Sequence, residues 1–230
     1  MPNMKIIVVG LGNFGSSLST SLMDEGHEVI GVDNNLDRVE RMKDVLTYAI
    51  KLDATELSAI KTIPFDVADL VIIAIGEDVG ASITALAQIK KIFDGKIIAR
   101  SINEIHHAIL ETIKIDEIVE PEAEYATELA KRIALRKIIK SMNLPGAYEI
   151  AEIPIPNFLI GVAYKDLSSK LSAGVQVITT IKKRFKENIF KASTTELVTQ
   201  GTLPPDYIFD EDDIVLLFGT NKDIEKFANR

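Results

Sequence analysis

The feature that most constrains this chain is Ile6-Ile7-Val8-Val9-Gly10-Leu11-Gly12-Asn13-Phe14-Gly15, a β-branched apolar run that passes directly into G-x-G-x-x-G. A helix-like segment, Ser16 to Gly26, follows it. Eighteen residues beyond Gly15, the next apolar run, Val29-Ile30-Gly31-Val32, ends in Asp33. The three glycines have separate tasks in such a unit. Gly10 permits the tight turn, Gly12 lets backbone amides approach a pyrophosphate, and Gly15 lets the helix pack close to the strand. The helix then turns the positive end of its dipole toward the phosphates. Asp33 is placed to accept hydrogen bonds from both hydroxyls of an adenosine ribose. The glycine pattern alone is weak evidence. With the strand, the helix and the acid in order around it, the pattern predicts a dinucleotide-type fold.

The next hundred residues extend that pattern. After Glu28–Asp33 come a predicted helix at Leu36–Asp44, a strand at Val45–Leu52 and a short helix at Glu56–Ile63. Asp69–Gly76 is continuously apolar in its middle, as expected where both faces of a parallel sheet are covered. Val79–Phe93 reads as a helix, Lys96–Arg100 as a fifth strand, Asn103–Ile113 as a helix and Glu117–Val119 as a sixth strand. This alternation specifies an α/β fold, a Rossmann-like doubly wound parallel sheet with right-handed crossovers.

Pro121 stands where a helix should begin, and Glu122 to Met142 contains helix formers with no internal Gly or Pro. A long crossover helix is therefore predicted over it. Leu129, Ile133, Leu135, Ile138 and Ile139 would form a broad apolar face suited to another subunit. Pro145-Gly146 ends this stretch. Beyond it lie strand-like runs at Ala147–Ile153, Val175–Ile181 and Asp213–Phe218, with short helices at Leu167–Leu171 and Lys222–Phe227. The expected division is thus residues 1–120 as the nucleotide-binding domain, 121–143 as the crossover and dimerisation helix, and 144–230 as a small α+β C-terminal domain.

Composition removes several function classes. A net charge of −8, with no basic stripe interleaved with aromatics, disfavours nucleic acid. The absence of cysteine excludes disulfides, thiolate catalysis and Cys-type zinc sites, and fits a reducing cytosol. A first strand at about Lys5 leaves no room for a signal peptide, and the longest apolar run, Leu70 to Ile75, is too short to span a bilayer. The expected location is cytoplasmic.

The order of parts resembles the RCK (regulator of K+ conductance) family, specifically the regulatory subunits of Trk/Ktr-type potassium uptake systems. The residues that carry the resemblance are Gly10 to Gly15, Gly26-His27-Glu28-Val29 before Asp33, and Asp53-Ala54-Thr55. They continue with Ala74-Ile75-Gly76-Glu77, His106-His107, Val119-Glu120-Pro121-Glu122, Gly161 to Val177, and the acidic turn before Ile214 to Gly219. The resemblance implies a regulator with no chemistry of its own, lying on the inner face of the membrane beneath a separate potassium-translocating subunit. It also implies a homodimer that assembles into a ring such as an octamer, with the helix after Pro121 crossing between paired subunits.

The same resemblance assigns a nucleotide site to Gly10, Leu11, Gly12, Asn13, Phe14, Gly15, Asp33, Asn34, Asp53, Ala54, Thr55, Ile75, Gly76, Glu77, Arg100 and Glu122. Asp53 and Thr55 would border the adenosine or cap the helix that follows. Gly76 would let the backbone approach the ligand or simply end a strand. Arg100 would stand near the phosphates. Glu122 would reach the nucleotide or a phosphate-bound divalent or monovalent cation, and the alternative is a plain ion pair between them. Asn13 departs from the family, whose ATP-binding members carry arginine there. An uncharged amide favours NAD(H), ADP or AMP over ATP, and Asp33 disfavours a 2′-phosphate.

Gly161, Asp166, Leu167, Lys170 and Gly174 resemble a C-terminal domain that binds cyclic di-AMP in some relatives. Lys170 and Gln176 stand where arginine and asparagine are usual, and lysine lacks the planar fork. His27, His106 and His107 show no metal-ligand spacing and read as packing or surface residues. Asp210-Glu211-Asp212-Asp213 reads as a solvated turn, with a cation site as the alternative. The competing function is an NAD-dependent oxidoreductase, since the opening fold is shared. Against it, the C-terminal module has no histidine and its Lys and Tyr residues form no recognisable catalytic arrangement.

Overall fold

Alternate residues of the first strand, β1 (Lys5–Val9), enter different hydrophobic cores. Ile7 and Val9 pack with Val71, Ile73, Leu86 and Leu110, whereas Ile6 and Val8 pack with Val29, Met42, Leu70 and Ile72. Successive strand side chains point to opposite faces, so two cores on one strand mean helices on both sides of the sheet. That is why the run is continuously apolar and does not alternate with polar residues. The computed structural model describes residues 3–134, 138–169, 174–187 and 193–229, and the chain divides into two units, Met1–Glu122 and Ala123–Arg230.

In the first unit, β1 is followed by α1 (Asn13–Asp24), β2 (Glu28–Asp33), α2 (Leu36–Met42), β3 (Tyr48–Lys51) and α3 (Leu57–Ile60). Then come β4 (Leu70–Ile73), α4 (Val79–Ile89), β5 (Lys96–Arg100), α5 (Glu104–Ile113) and β6 (Glu117–Val119). All six strands are parallel, in the order β3-β2-β1-β4-β5-β6. The order reverses between β1 and β4. In open α/β sheets the ligand crevice lies at that switch point, outside the carboxyl ends of the strands. Side-chain caps define three helix starts: Asn35 accepts from the Asp37 amide, Asp78 from the Ala81 amide and Asn103 from the His106 amide, each at 2.9 Å. Each such cap contributes about 1 kcal/mol.

Pro121 does open a helix, α6 (Pro121–Ala134), but the predicted continuation through Met142 is not what forms. Residues 135–137, with Leu135 of the expected apolar face, lie outside the described residues. Lys140–Asn143 is a strand, β7, paired antiparallel with β8 (Tyr148–Pro154). Ile138 is 4% exposed and packs in the core of the second unit with Ala151 and Ile153. Helix propensity is a weak prior, and here strand pairing and burial of Ile138 override it. Of the other expected face residues, Leu129 is half-buried and Ile133 and Ile139 are exposed.

The second unit also contains β9 (Val175–Glu187), β10 (Ser193–Thr199), β11 (Ile214–Thr220) and α7 (Asn221–Ala228). Its antiparallel sheet runs β10-β9-β11-β8-β7 and covers a core that includes Leu159, Phe209, Leu217 and Phe227. Strands β7 and β10 were not expected from the sequence, and the expected short helix at Leu167 is a 3-10 segment, Tyr164–Ser169. Nor is the acidic turn wholly solvated. Asp213 is 1% exposed; it accepts the Tyr207 hydroxyl at 2.8 Å and the Asp210 amide at 2.9 Å, and faces the Lys182 ammonium at 3.4 Å. Burial comes first in raising the Tyr207 pKa. Among the described residues, no helix is long and apolar enough to cross a membrane.

Candidate functional site

The loop after β1 shows why Gly10 and Gly15 must be glycine. Gly10 has φ +100°, and a Cβ there would lie 2.8 Å from the Ile75 amide nitrogen, so both conformation and space exclude a side chain. A Cβ on Gly15 would run into the Gly10 carbonyl oxygen, which lets α1 begin hard against the loop. A Cβ on Gly12 would meet nothing within 4 Å, so that position is open. No side chain caps α1 at Gly12. The positive end of α1 is therefore left for an anion.

Asp33 ends β2 and is 6% exposed. One carboxylate oxygen accepts the Leu11 amide at 2.7 Å, and the other accepts the Asn35 amide at 2.8 Å. A carboxylate has about four lone-pair sites, so two accepted bonds leave acceptor capacity for a diol. The acid thus braces the glycine loop and remains competent to bind a ribose.

These groups open onto a crevice of about 600 Å³, within the range of small-molecule sites. Of the residues expected at the site, Gly10, Leu11, Gly12, Asn13, Phe14, Asp33, Asn34, Asp53, Ala54, Thr55, Ile75, Gly76, Glu77, Arg100 and Glu122 line it. Gly15 does not; it lies behind the loop, where its role is packing. Asp53 turns back on Thr55, accepting its amide at 2.9 Å and its hydroxyl at 2.7 Å. Those bonds, the hydroxyl first, hold the Asp53 carboxyl below its usual range. The helix cap expected of Asp53 or Thr55 is not made; Glu56 occupies the N-cap of α3 without a side-chain bond.

Arg100 leaves the end of β5 and crosses Gly76. A Cβ on Gly76 would collide with the guanidinium, so this glycine makes room for an arginine. The guanidinium carbon lies 5.5 Å from the centre of the Phe14 ring, and Nη2 pairs with Glu122. The Arg100 Nε is buried and has no hydrogen-bond partner among the described residues. On the opposite side of β1, Arg38 of α2 pairs with Glu77 through Nη2 and lies 3.7 Å from Asp33 through Nη1. The bond to Glu77 is the largest cause that raises the Arg38 pKa.

Sequence reasoning missed Arg38, Arg41, Ser16 and Asp78, all of which line the crevice. For Arg38 a signal existed: the first turn of a helix that follows β2 necessarily starts at the carboxyl edge of the sheet. The three histidines have structural partners. His27 Nδ1 accepts the Met4 amide at 3.2 Å, His106 is buried on α5, and His107 lies 3.2 Å from Glu120. In the second unit, Gly161 and Gly174 have positive φ, Leu167 is buried and Gln176 is exposed, while Lys170 lies outside the described residues.

Residues 6–121 match the TrkA-N domain family model. The chain is 30% identical to Ktr system potassium uptake protein C of Bacillus subtilis, over 97% of this chain and 95% of that one. Among solved structures, the GsuK RCK domain superposes with a TM-score of 0.60 at 15% identity, covering 100% of this chain and 48% of that one. The GsuK channel bound to NAD superposes with a TM-score of 0.59, covering 96% of this chain and 38% of that one. At these identities the structural likeness establishes the RCK fold.

Proposed function

This chain belongs to the TrkA-N domain family, and from that premise we propose that it is the regulatory, nucleotide-sensing subunit of a potassium uptake system. An adenine nucleotide occupies the crevice, and the response is control of a separate membrane subunit that moves K+. The observation that carries nucleotide binding is the 2.7 Å bond from the Leu11 amide to buried Asp33. It holds the ribose acceptor and the phosphate-facing loop in one geometry before any ligand arrives, which lowers the ordering cost of binding. The NAD named with the GsuK channel, which has the same fold, supports the same reading.

Charge narrows the ligand. The lining contains three arginines, Arg38, Arg41 and Arg100, against five carboxylates, Asp33, Asp53, Glu77, Asp78 and Glu122. With neutral Asn13 at the loop, such a site favours NAD(H), AMP or ADP, whereas ATP requires an accompanying cation near Glu122. No histidine, lysine or tyrosine lines the crevice among the described residues. The usual proton donors of hydride-transfer enzymes are thus not on its walls, which favours a ligand that signals over one that reacts.

Control of the partner follows from differential affinity, since a ligand shifts an equilibrium only by binding one state better. Glu122, paired with Arg100, stands at the start of α6, where Tyr125 and Ile133 are 57% and 69% exposed. A second copy of the chain is the proposed cover for this helix, in a homodimer that closes into a ring on the inner face of the membrane. The test is titration calorimetry of the full chain with NADH, ADP and ATP, followed by K+ flux in vesicles that contain the co-purified membrane subunit. Binding of at least one nucleotide and a nucleotide-dependent flux are expected. No binding, or a flux indifferent to all three, overturns the reading.

A further inference from the structure

The Arg38 guanidinium bridges two carboxylates that reach it from different strands. Asp33 ends β2 and Glu77 follows β4, and these strands flank β1 on either side. Arg38 thus lines the crevice between the ends of β2 and β4, beside Asp33, the proposed ribose acceptor. Its backbone is held too, because the amide bonds to the Asn35 side chain that caps α2, at 3.4 Å. Resting on the nucleotide reading above, we infer that Arg38 grips the adenine base by laying the face of its guanidinium on the purine ring.

Two arguments separate this role from phosphate binding. Hydrogen bonds to a guanidinium lie in its plane, so the bond from Nη2 to Glu77 takes up an edge and not a face, while Nη1 stands 3.7 Å from Asp33. A phosphate in the same place would stand beside two carboxylates and be repelled by both. Stacking makes no such demand, since the ring needs only the flat face and the positive charge behind it. The walls agree in character: Met42, Leu52, Ala54, Ile75 and Ala81 also line the crevice and suit a flat ring better than a charged group.

The experiment is calorimetry of the full chain with adenosine, AMP, NADH and inorganic pyrophosphate. It compares wild type, Arg38→Ala, Arg38→Lys, Glu77→Gln and Asp33→Ala. Arg38→Ala should weaken adenosine, AMP and NADH by the same factor, about tenfold, and leave pyrophosphate unchanged. Arg38→Lys should not restore the loss, because an ammonium has no planar face. Glu77→Gln, which keeps the arginine, should give a smaller loss that is equally independent of phosphate number, and it decides the matter if Arg38→Ala fails to fold. A loss that grows with phosphate number, or no loss at Arg38 while Asp33→Ala weakens every nucleotide, overturns the stacking role and leaves the nucleotide site standing. Failure of wild type to bind any of these nucleotides, or ADP or ATP, overturns both.

Discussion

Asp33 and Leu11, twenty-two positions apart, are joined by a 2.7 Å hydrogen bond in which the Leu11 amide donates to a carboxylate that is almost fully buried. The acid is therefore part of the scaffold of the glycine loop as well as the proposed ribose acceptor. Substitutions at Asp33 should act on folding and on binding together.

Asp33→Ala should lower stability by about 1–3 kcal/mol, because the Leu11 and Asn35 amides lose a charged acceptor. Nucleotide affinity should fall by a further 1–3 kcal/mol, roughly, from the lost charge-assisted bonds to the ribose. Urea unfolding with and without NADH separates the two effects. Equal affinity in wild type and variant contradicts the ribose assignment.

Gly10→Ala should destabilise the first unit by about 1–3 kcal/mol or more, through left-handed strain and contact with the Ile75 backbone. At roughly 2–4 °C per kcal/mol for a chain of this size, thermal unfolding resolves the loss. Gly12→Ala, where a Cβ meets nothing within 4 Å, should leave unfolding unchanged but weaken nucleotide binding. A Gly12 variant that unfolds early and binds normally would refute this division of labour.

His106 is fully buried, and burial holds its imidazole pKa below the usual value. The unfolded chain takes up the proton at about pH 6.5 while the native chain resists it. Stability is thus complete above that pH and declines as pH falls below it. Chemical unfolding near neutral pH and at about pH 5.5 should show a drop in wild type that is smaller in His106→Leu; the pH values follow from the ordinary histidine pKa. An identical drop in both would place the effect elsewhere.

Lys114 ends α5 in the left-handed region, with φ 57°. Glycine is the usual residue at such a helix end, and a non-glycine residue there costs on the order of 1 kcal/mol. Lys114→Gly should raise thermal stability by roughly 0.5–1 kcal/mol. A lower melting temperature would show that the Lys114 side chain contributes more than its backbone costs.

How much could be read in advance depends on the range of each interaction. Val9 through Gly15 could be read because their tasks are steric and local: a turn of positive φ at Gly10 and a close approach at Gly15 exclude side chains whatever surrounds them. Lys96–Arg100 was located to the residue because an apolar run between polar boundaries suits a strand covered on both faces, and Glu117–Val119, half-buried at the sheet edge, because it completes the β-α alternation. The helix expected through Met142 shows the opposite case. Lys140–Asn143 has no strong strand signal of its own and becomes a strand because β8 offers it backbone partners.

By itself, then, the sequence determined the doubly wound first unit, the glycine loop and the identity of the acid that follows it, since all three arise from neighbouring residues and from periodicity. Only the tertiary structure decided that Arg38 meets Glu77, thirty-nine positions away, and that Gly76 serves as the bed for Arg100. It also decided that Ile138 enters a core and not a helix face. The physical reason is that periodicity records which side of an element is buried, not which partner buries it. Partners are assigned by strand order, and here the order β3-β2-β1-β4-β5-β6 places the ends of β2 and β4 on either side of one loop.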